Sequence, residues 1–179
     1  MVPLSRGVVV AAVLMCAATG AEARQASDAE RAYLRAVALH FQMPEGEVAI
    51  LADWDLPTDE IPVVLFVARR AGVSAEALVA LRESGRSWTS LAGSYSIGAN
   101  AFHVPLGDPG GAGALVPIYE RFRDTPVSDW ARIPLSEREI VALVNVRVLS
   151  QALAVAPDDI ARHTATSTTF VDLYARLLR

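Results

Sequence analysis

The sequence predicts an all-α protein, a compact bundle of short helices. Helix-capping residues recur along the chain, and each is followed by a run with apolar residues at helical spacing. Glycine or proline ends most of these runs, as expected where helices stop. No stretch shows a convincing alternation of apolar and polar residues, which is the pattern of a half-buried strand.

The first part of the chain contains helices that open on caps or prolines. Ser27 and Glu30 form a capping box, and Pro44 precedes the second helix. Thr58 is predicted to cap a third helix, whose apolar run Val63–Val67 indicates a buried helix, with a buried strand as the alternative. The predicted helices cover 28–42, 45–53, 59–72, 75–84 and 88–95, with one more turn or two in 98–104. Ser74 and Ser87 are predicted to cap the helices 75–84 and 88–95.

A glycine-rich segment separates this part from the next. Residues 107–114 carry four glycines without the spacing of a phosphate-binding loop, so we predict a flexible loop or hinge. After it, the capping box of Ser136 and Glu139 opens the most apolar helix, 140–154. Asn145 inside this helix predicts a buried, hydrogen-bonded amide. Shorter helices are predicted at 117–123, from 157 onwards and at 170–178.

The N-terminus is typical of a secretory signal peptide. Arg6 is followed by an apolar run, Gly7–Ala18, that is too short to span a bilayer as a helix. Small residues follow, and we expect cleavage after Ala23, so that 1–23 is the signal peptide. A retained anchor is one alternative. Lipidation at Cys16 is another, although Met15 before it is larger than a lipobox requires.

Cleavage at that position leaves 24–179 as a single helical domain, with two candidate sub-units, 24–106 and 115–179. This part contains no cysteine, so the sequence predicts neither a disulfide nor a thiolate nucleophile. In the full chain, all 16 lysine or arginine positions are arginines. With 20 acidic residues, the net charge is −4. A mildly acidic chain does not favour nucleic acid or anionic lipid as a partner.

The spacing of apolar residues suggests an internal repeat. Leu56–Leu91 aligns with Leu135–Leu173, so that Ile61 matches Ile140 and Trp88 matches Phe170. Each unit consists of a long buried helix, a short capped helix and a third helix opened by an aromatic residue. Two such units are expected to pack face to face, because neither alone buries enough apolar surface.

Part of the first unit resembles a known DNA-binding motif. Val79–Ala92, VALRESGRSWTSLA, has the LR pair, the turn glycine Gly85 and the following SW of the helix-turn-helix in site-specific recombinases and sigma-like regulators. The resemblance implies that Gly98–Val104 takes the place of the recognition helix. That segment has no Arg or Lys, and base and phosphate contacts usually need such donors. The sequence therefore predicts a helix-turn-helix shape used for packing.

No catalytic or metal-binding constellation stands out. The three histidines are far apart, and no two share the spacing of ligands on one helix face. We predict no catalytic residue, cofactor or metal. The weak candidates for ligand or partner contact are His103, Asn100, Trp54 and Trp88.

The sequence as a whole favours a small exported, periplasmic or extracellular, helical protein that acts as a binding or scaffolding module, with a protein as its partner. Two alternatives stay open at this stage. One is a cytoplasmic helix-turn-helix regulator that binds DNA. The other is an enzyme or metal protein whose site is not visible in the sequence.

Overall fold

The computed structural model describes residues 28–54 and 56–179, and this part contains helices and no strand. The all-α prediction is confirmed. The signal peptide and the Ser27 cap lie outside the described residues. The α-helices are α1 (28–41), α2 (Glu45–Ala52), α3 (Ile61–Ala71), α4 (Ala75–Glu83), α5 (Trp88–Ser94), α6 (Ala99–Phe102), α7 (Val116–Asp124), α8 (Glu137–Leu153), α9 (Pro157–Ala161) and α10 (Phe170–Leu177).

Helices α3 and α8 pack against each other at the centre of the bundle. Every residue of α3 from Ile61 to Ala68 is buried, so the alternative of a buried strand at Val63–Val67 is wrong. The apolar stretch is helical because Gly72, in the left-handed conformation, ends a run long enough for three turns. Helix α8 buries a similar set, including Leu143 and Val146. No helix of the described residues is long and apolar enough to cross a bilayer.

Most of the cap residues predicted within the described part form the expected hydrogen bond. Ser74 and Ser87 accept from the backbone N–H three residues later, and Ser136 and Glu139 form the full capping box. The prediction that Thr58 caps α3 is wrong. Thr58 lies inside a 3-10 turn before α3, where Pro57 takes the cap position and the Thr58 side chain accepts no capping hydrogen bond. Its hydroxyl donates to Glu30 Oε1 of α1 at 2.5 Å.

Two carboxylates cap helices in the opposite half of the chain. Asp59, just before α3, accepts from the backbone N–H of Phe170 at the start of α10, at 3.0 Å. Glu137, at the start of α8, accepts from the backbone N–H of Trp88 at the start of α5, also at 3.0 Å. These hydrogen bonds join α3–α5 to α8–α10 in both directions. The internal repeat itself stays a prediction.

The glycine-rich segment is folded onto the second half of the chain. It forms two 3-10 turns, Pro109–Gly111 and Gly113–Leu115, where the sequence predicted an open loop. The backbone N–H groups of Gly107 and Asp108 donate to the Asp158 carboxylate at 3.1 and 2.6 Å. These long-range bonds were not visible in the sequence, because the acceptor lies at the start of α9.

Gly113 is expected to be the least replaceable glycine of this segment. Its φ is +58°, and an added Cβ would lie 2.6 Å from the carbonyl oxygen of Ala161. We expect Gly113→Ala to lower the free energy of unfolding by about 1–2 kcal/mol from the left-handed backbone alone, as measured by urea denaturation. Gly46→Ala is the control. Its Cβ would meet nothing within 4 Å, and in helix α2 it should stabilise by roughly 0.5–1 kcal/mol.

Candidate anion-binding site

Three of the four residues singled out from the sequence occupy unrelated places. Trp88 is fully buried, and its indole N–H donates to Glu60 Oε2 at 2.9 Å. Trp54 is partly buried and packs against the core. Asn100 is exposed on the four-residue helix α6. Trp88 is therefore part of the core, and the structure gives the other two no shared site with it.

His103, the fourth candidate, lies in an aromatic cluster. Its ring centre is 4.5 Å from that of Trp130 and 4.7 Å from that of Phe122. Burial of the ring lowers the pKa of His103, and the positive charge of Arg147 lowers it further. The carbonyl oxygen of His103 accepts from Nη2 of Arg147 at 2.8 Å. His103 thus contacts Arg147, which was not among the candidate residues predicted from the sequence.

Arg147 is partly buried in the middle of α8. Its Nη2 also lies within 3.2 Å of the Ala101 carbonyl oxygen and 3.3 Å of the Phe102 carbonyl oxygen. These carbonyls end α6, where a cation is favoured by the helix dipole. The guanidinium carbon is 4.9 Å from the ring centre of Phe66 on α3. Burial lowers the pKa of Arg147, and the charge of Arg70 adds to this effect.

Two further arginines approach the same place from the last turn of α3. Arg70 lies one helical turn after Phe66, and its guanidinium carbon is 4.9 Å from that ring centre. Arg69 donates to the carbonyl oxygen of Phe41 at 2.5 Å, and its guanidinium carbon is 5.4 Å from the Phe41 ring centre. Both side chains belong to exposed residues. The aromatic faces attract and orient the cations.

Together these side chains border a cavity of about 300 Å³, which we call the arginine cavity. It is lined by His40, Phe41, Phe66, Arg69, Arg70 and Arg147. None of these described residues is acidic. Within the described part of the chain, none of the three arginines forms an ion pair, although eight ion pairs exist elsewhere in it. Three uncompensated cations therefore converge in a chain whose net charge is −4.

The arginine cavity also holds unpartnered polar atoms. Across 28–54 and 56–179, two buried side-chain nitrogens have no hydrogen-bond partner, Nδ1 of His40 and Nη1 of Arg147. Both residues line this cavity. Buried polar groups in folded proteins nearly always have partners, and an orphaned one often marks a bound water or ion. One of these nitrogens belongs to Arg147, and the two other arginines of the cavity, Arg69 and Arg70, also form no ion pair within the described residues, so the arrangement indicates an anion-binding site.

A larger cavity of about 600 Å³ lies near the starts of α3, α8 and α10. Its carboxylates already have structural roles. Asp59 caps α10, while Glu60 and Glu137 share Arg82 at 2.9 and 3.1 Å. Burial raises the pKa of Asp59, against the opposing effect of the backbone hydrogen bonds from Phe170 and Val171. The described residues contain no group of His, Cys, Asp and Glu arranged to hold a metal.

Sequence reasoning missed the arginine cavity because its parts come from three helices. The pair Arg69-Arg70 is typical of the C-terminal end of a helix, where positive charges interact favourably with the helix dipole. One local signal was present. Arg147 is the single charge in the apolar run from Ile140 to Ala154, and an ionised side chain in such a helix needs a specific partner.

Comparison of the chain with protein-family models, with curated proteins and with solved structures gives no match. The candidate site is therefore argued from its own geometry and chemistry.

Proposed function

We propose that this protein is an exported, helical binding module that holds an anionic ligand in the arginine cavity. One observation carries the proposal. The two orphaned buried nitrogens of the described residues belong to His40 and Arg147, which line one cavity together with Arg69 and Arg70, and none of these arginines has a carboxylate partner among the described residues. An anion would supply the missing acceptor atoms and relieve the repulsion between Arg70 and Arg147. No chemical step is needed to explain these features.

The geometry supports a small ligand, or a small charged group, over a nucleic acid duplex. The orphaned nitrogens belong to residues that line a recess of about 300 Å³, whereas phosphate contacts along a duplex need a broad basic surface. Helix α6, in the place of a recognition helix, has four residues, of which Ala99 and Phe102 are buried. Gly98 before it packs against the backbone of Ala131. This supports the use of the helix-turn-helix shape for packing.

Arg70 offers the cleanest test, because the structure gives its guanidinium a contact to an aromatic ring and no hydrogen bond. We expect wild-type protein to bind inorganic phosphate or sulfate in calorimetric titration. Arg70→Gln should weaken binding about tenfold, since a hydrogen bond to a charged group contributes roughly 1.5–3 kcal/mol. Arg138→Gln is the matched control. Arg138 borders the larger cavity, so this change removes the same charge elsewhere. Equal affinities for the two variants would contradict the proposal.

Export is tested separately by N-terminal sequencing of the protein recovered from cell fractions. A chain that begins near Arg24 in the periplasm or medium is expected. An intact Met1 in the cytoplasm would contradict export and favour the alternative of a cytoplasmic regulator. The protein partner predicted from the sequence remains a prediction.

A further inference from the structure

We infer that the anion held in the arginine cavity is a compact, doubly charged tetrahedral oxyanion of the phosphate or sulfate class, and that His40 Nδ1 donates to it. This inference rests on the proposed function and specifies the ligand class of the same site.

The arginine cavity carries an excess of positive charge. Arg69, Arg70 and Arg147 form no ion pair within the described part of the chain, so the cavity presents three positive charges. A monocarboxylate would leave most of this charge uncompensated in a partly buried place. A dianion interacts with each guanidinium roughly twice as strongly at the same distance, because the Coulomb energy scales with the product of charges.

The hydrogen-bond donors around the arginine cavity come from several directions. His40 comes from α1, Arg69 and Arg70 from α3, and Arg147 from α8, so the donors belong to three separate helices around one cavity. The two oxygens of a carboxylate lie in one plane and best match a single guanidinium. A tetrahedral oxyanion has oxygens pointing in several directions and can therefore accept from donors on all three helices.

The protonation of His40 should respond to a bound dianion. Burial lowers the pKa of His40, and the charges of Arg147 and then Arg69 lower it further, while a hydrogen bond between the His40 and Gln151 side chains raises it. The imidazole is thus neutral near pH 7 in the empty cavity. A bound dianion offsets the charges of both arginines and favours the imidazolium. Binding should therefore take up a proton, and affinity should rise as the pH falls through the interval between the two pKa values.

Two sources share this chemistry, namely a free inorganic anion and the phosphate monoester end of a larger molecule, such as a lipid headgroup. The test is a calorimetric titration of the purified protein at constant ionic strength. The ligands are sulfate, inorganic phosphate, phenyl phosphate and acetate. We expect sulfate to bind at least about tenfold more tightly than acetate. Preference for phenyl phosphate over inorganic phosphate would assign the site to esters, and the reverse would assign it to the free anion.

Proton uptake is measured by repeating the sulfate titration in buffers of different ionisation enthalpy. Sulfate keeps its charge near neutral pH, so any proton taken up belongs to the protein. We expect uptake by wild type and by His163→Gln, an exposed control, and none by His40→Gln, which has no titratable group at this position. His40→Leu should lose about tenfold in affinity; should it fail to fold, His40→Gln still decides the point.

The outcomes separate the two levels of the proposal. Acetate binding as tightly as sulfate, or unchanged proton uptake in His40→Gln, would overturn this inference and leave a general anion site in place. Absence of binding by every anion would overturn the proposed function itself.

Discussion

Replacing Trp88 with alanine is expected to lower the free energy of unfolding by about 3–5 kcal/mol, the range for truncating a large buried aromatic side chain. Trp88 is fully buried at the start of α5. Its indole N–H donates to Glu60, which also accepts from Arg82, so the substitution removes a donor from a partly buried carboxylate as well as packing. Urea denaturation with linear extrapolation measures the loss.

Trp54→Ala is the matched control for this prediction. Trp54 is only partly buried, so the same change in side-chain type should have a clearly smaller effect. Equal losses for the two variants would contradict the view that Trp88 is a core residue where the halves of the bundle meet. Trp88→Phe should recover most of the packing and leave the Glu60 carboxylate without the indole donor.

Asn145→Ala is expected to cost roughly 2–4 kcal/mol, because it leaves more than one buried polar group without its partner. Asn145 is fully buried on α8. Its amide nitrogen donates to the carbonyl oxygens of Asp59 and Val141, each at 2.9 Å, and its amide oxygen accepts from the Tyr33 hydroxyl. The residue therefore joins α1, the segment before α3, and α8.

A double-mutant cycle with Tyr33→Phe isolates the contact between Asn145 and Tyr33. Burial, and then the charge of Asp59, raise the pKa of Tyr33 well above its ordinary value, so the hydroxyl stays a neutral donor at any ordinary pH. The two single losses should sum to more than the loss of the double variant, since Tyr33→Phe removes the group that Asn145→Ala orphans. Strict additivity would show that the two side chains do not interact.

The features predicted correctly are those encoded by neighbouring residues. Ser74, Ser87 and Ser136 each satisfy an N–H three residues later, so the cap and the helix are visible together in the sequence. The same rule is wrong for Thr58, because a 3-10 turn precedes α3 and places Thr58 inside that turn. The Thr58 hydroxyl donates to Glu30 of α1, a contact between distant residues that the local sequence does not reveal.

The site was beyond the sequence for a related reason. His103 is the one histidine among the contact candidates predicted from the sequence, yet the unpartnered nitrogens belong to His40 and Arg147. Neither has a distinctive local motif, since a histidine near a helix end and an arginine in an apolar helix both have ordinary structural explanations. Only the packing of α1, α3 and α8 brings them to one cavity with Arg69 and Arg70.

The most direct test of the anion site is a crystal structure of the protein soaked with selenate, a tetrahedral dianion that resembles sulfate and scatters X-rays anomalously. We expect an anomalous peak in the arginine cavity, within hydrogen-bond distance of His40 Nδ1 and the Arg147 guanidinium, which is absent in crystals of Arg70→Gln soaked in parallel. An ordered but empty cavity in wild-type crystals, or selenate only at exposed arginines elsewhere, would contradict it.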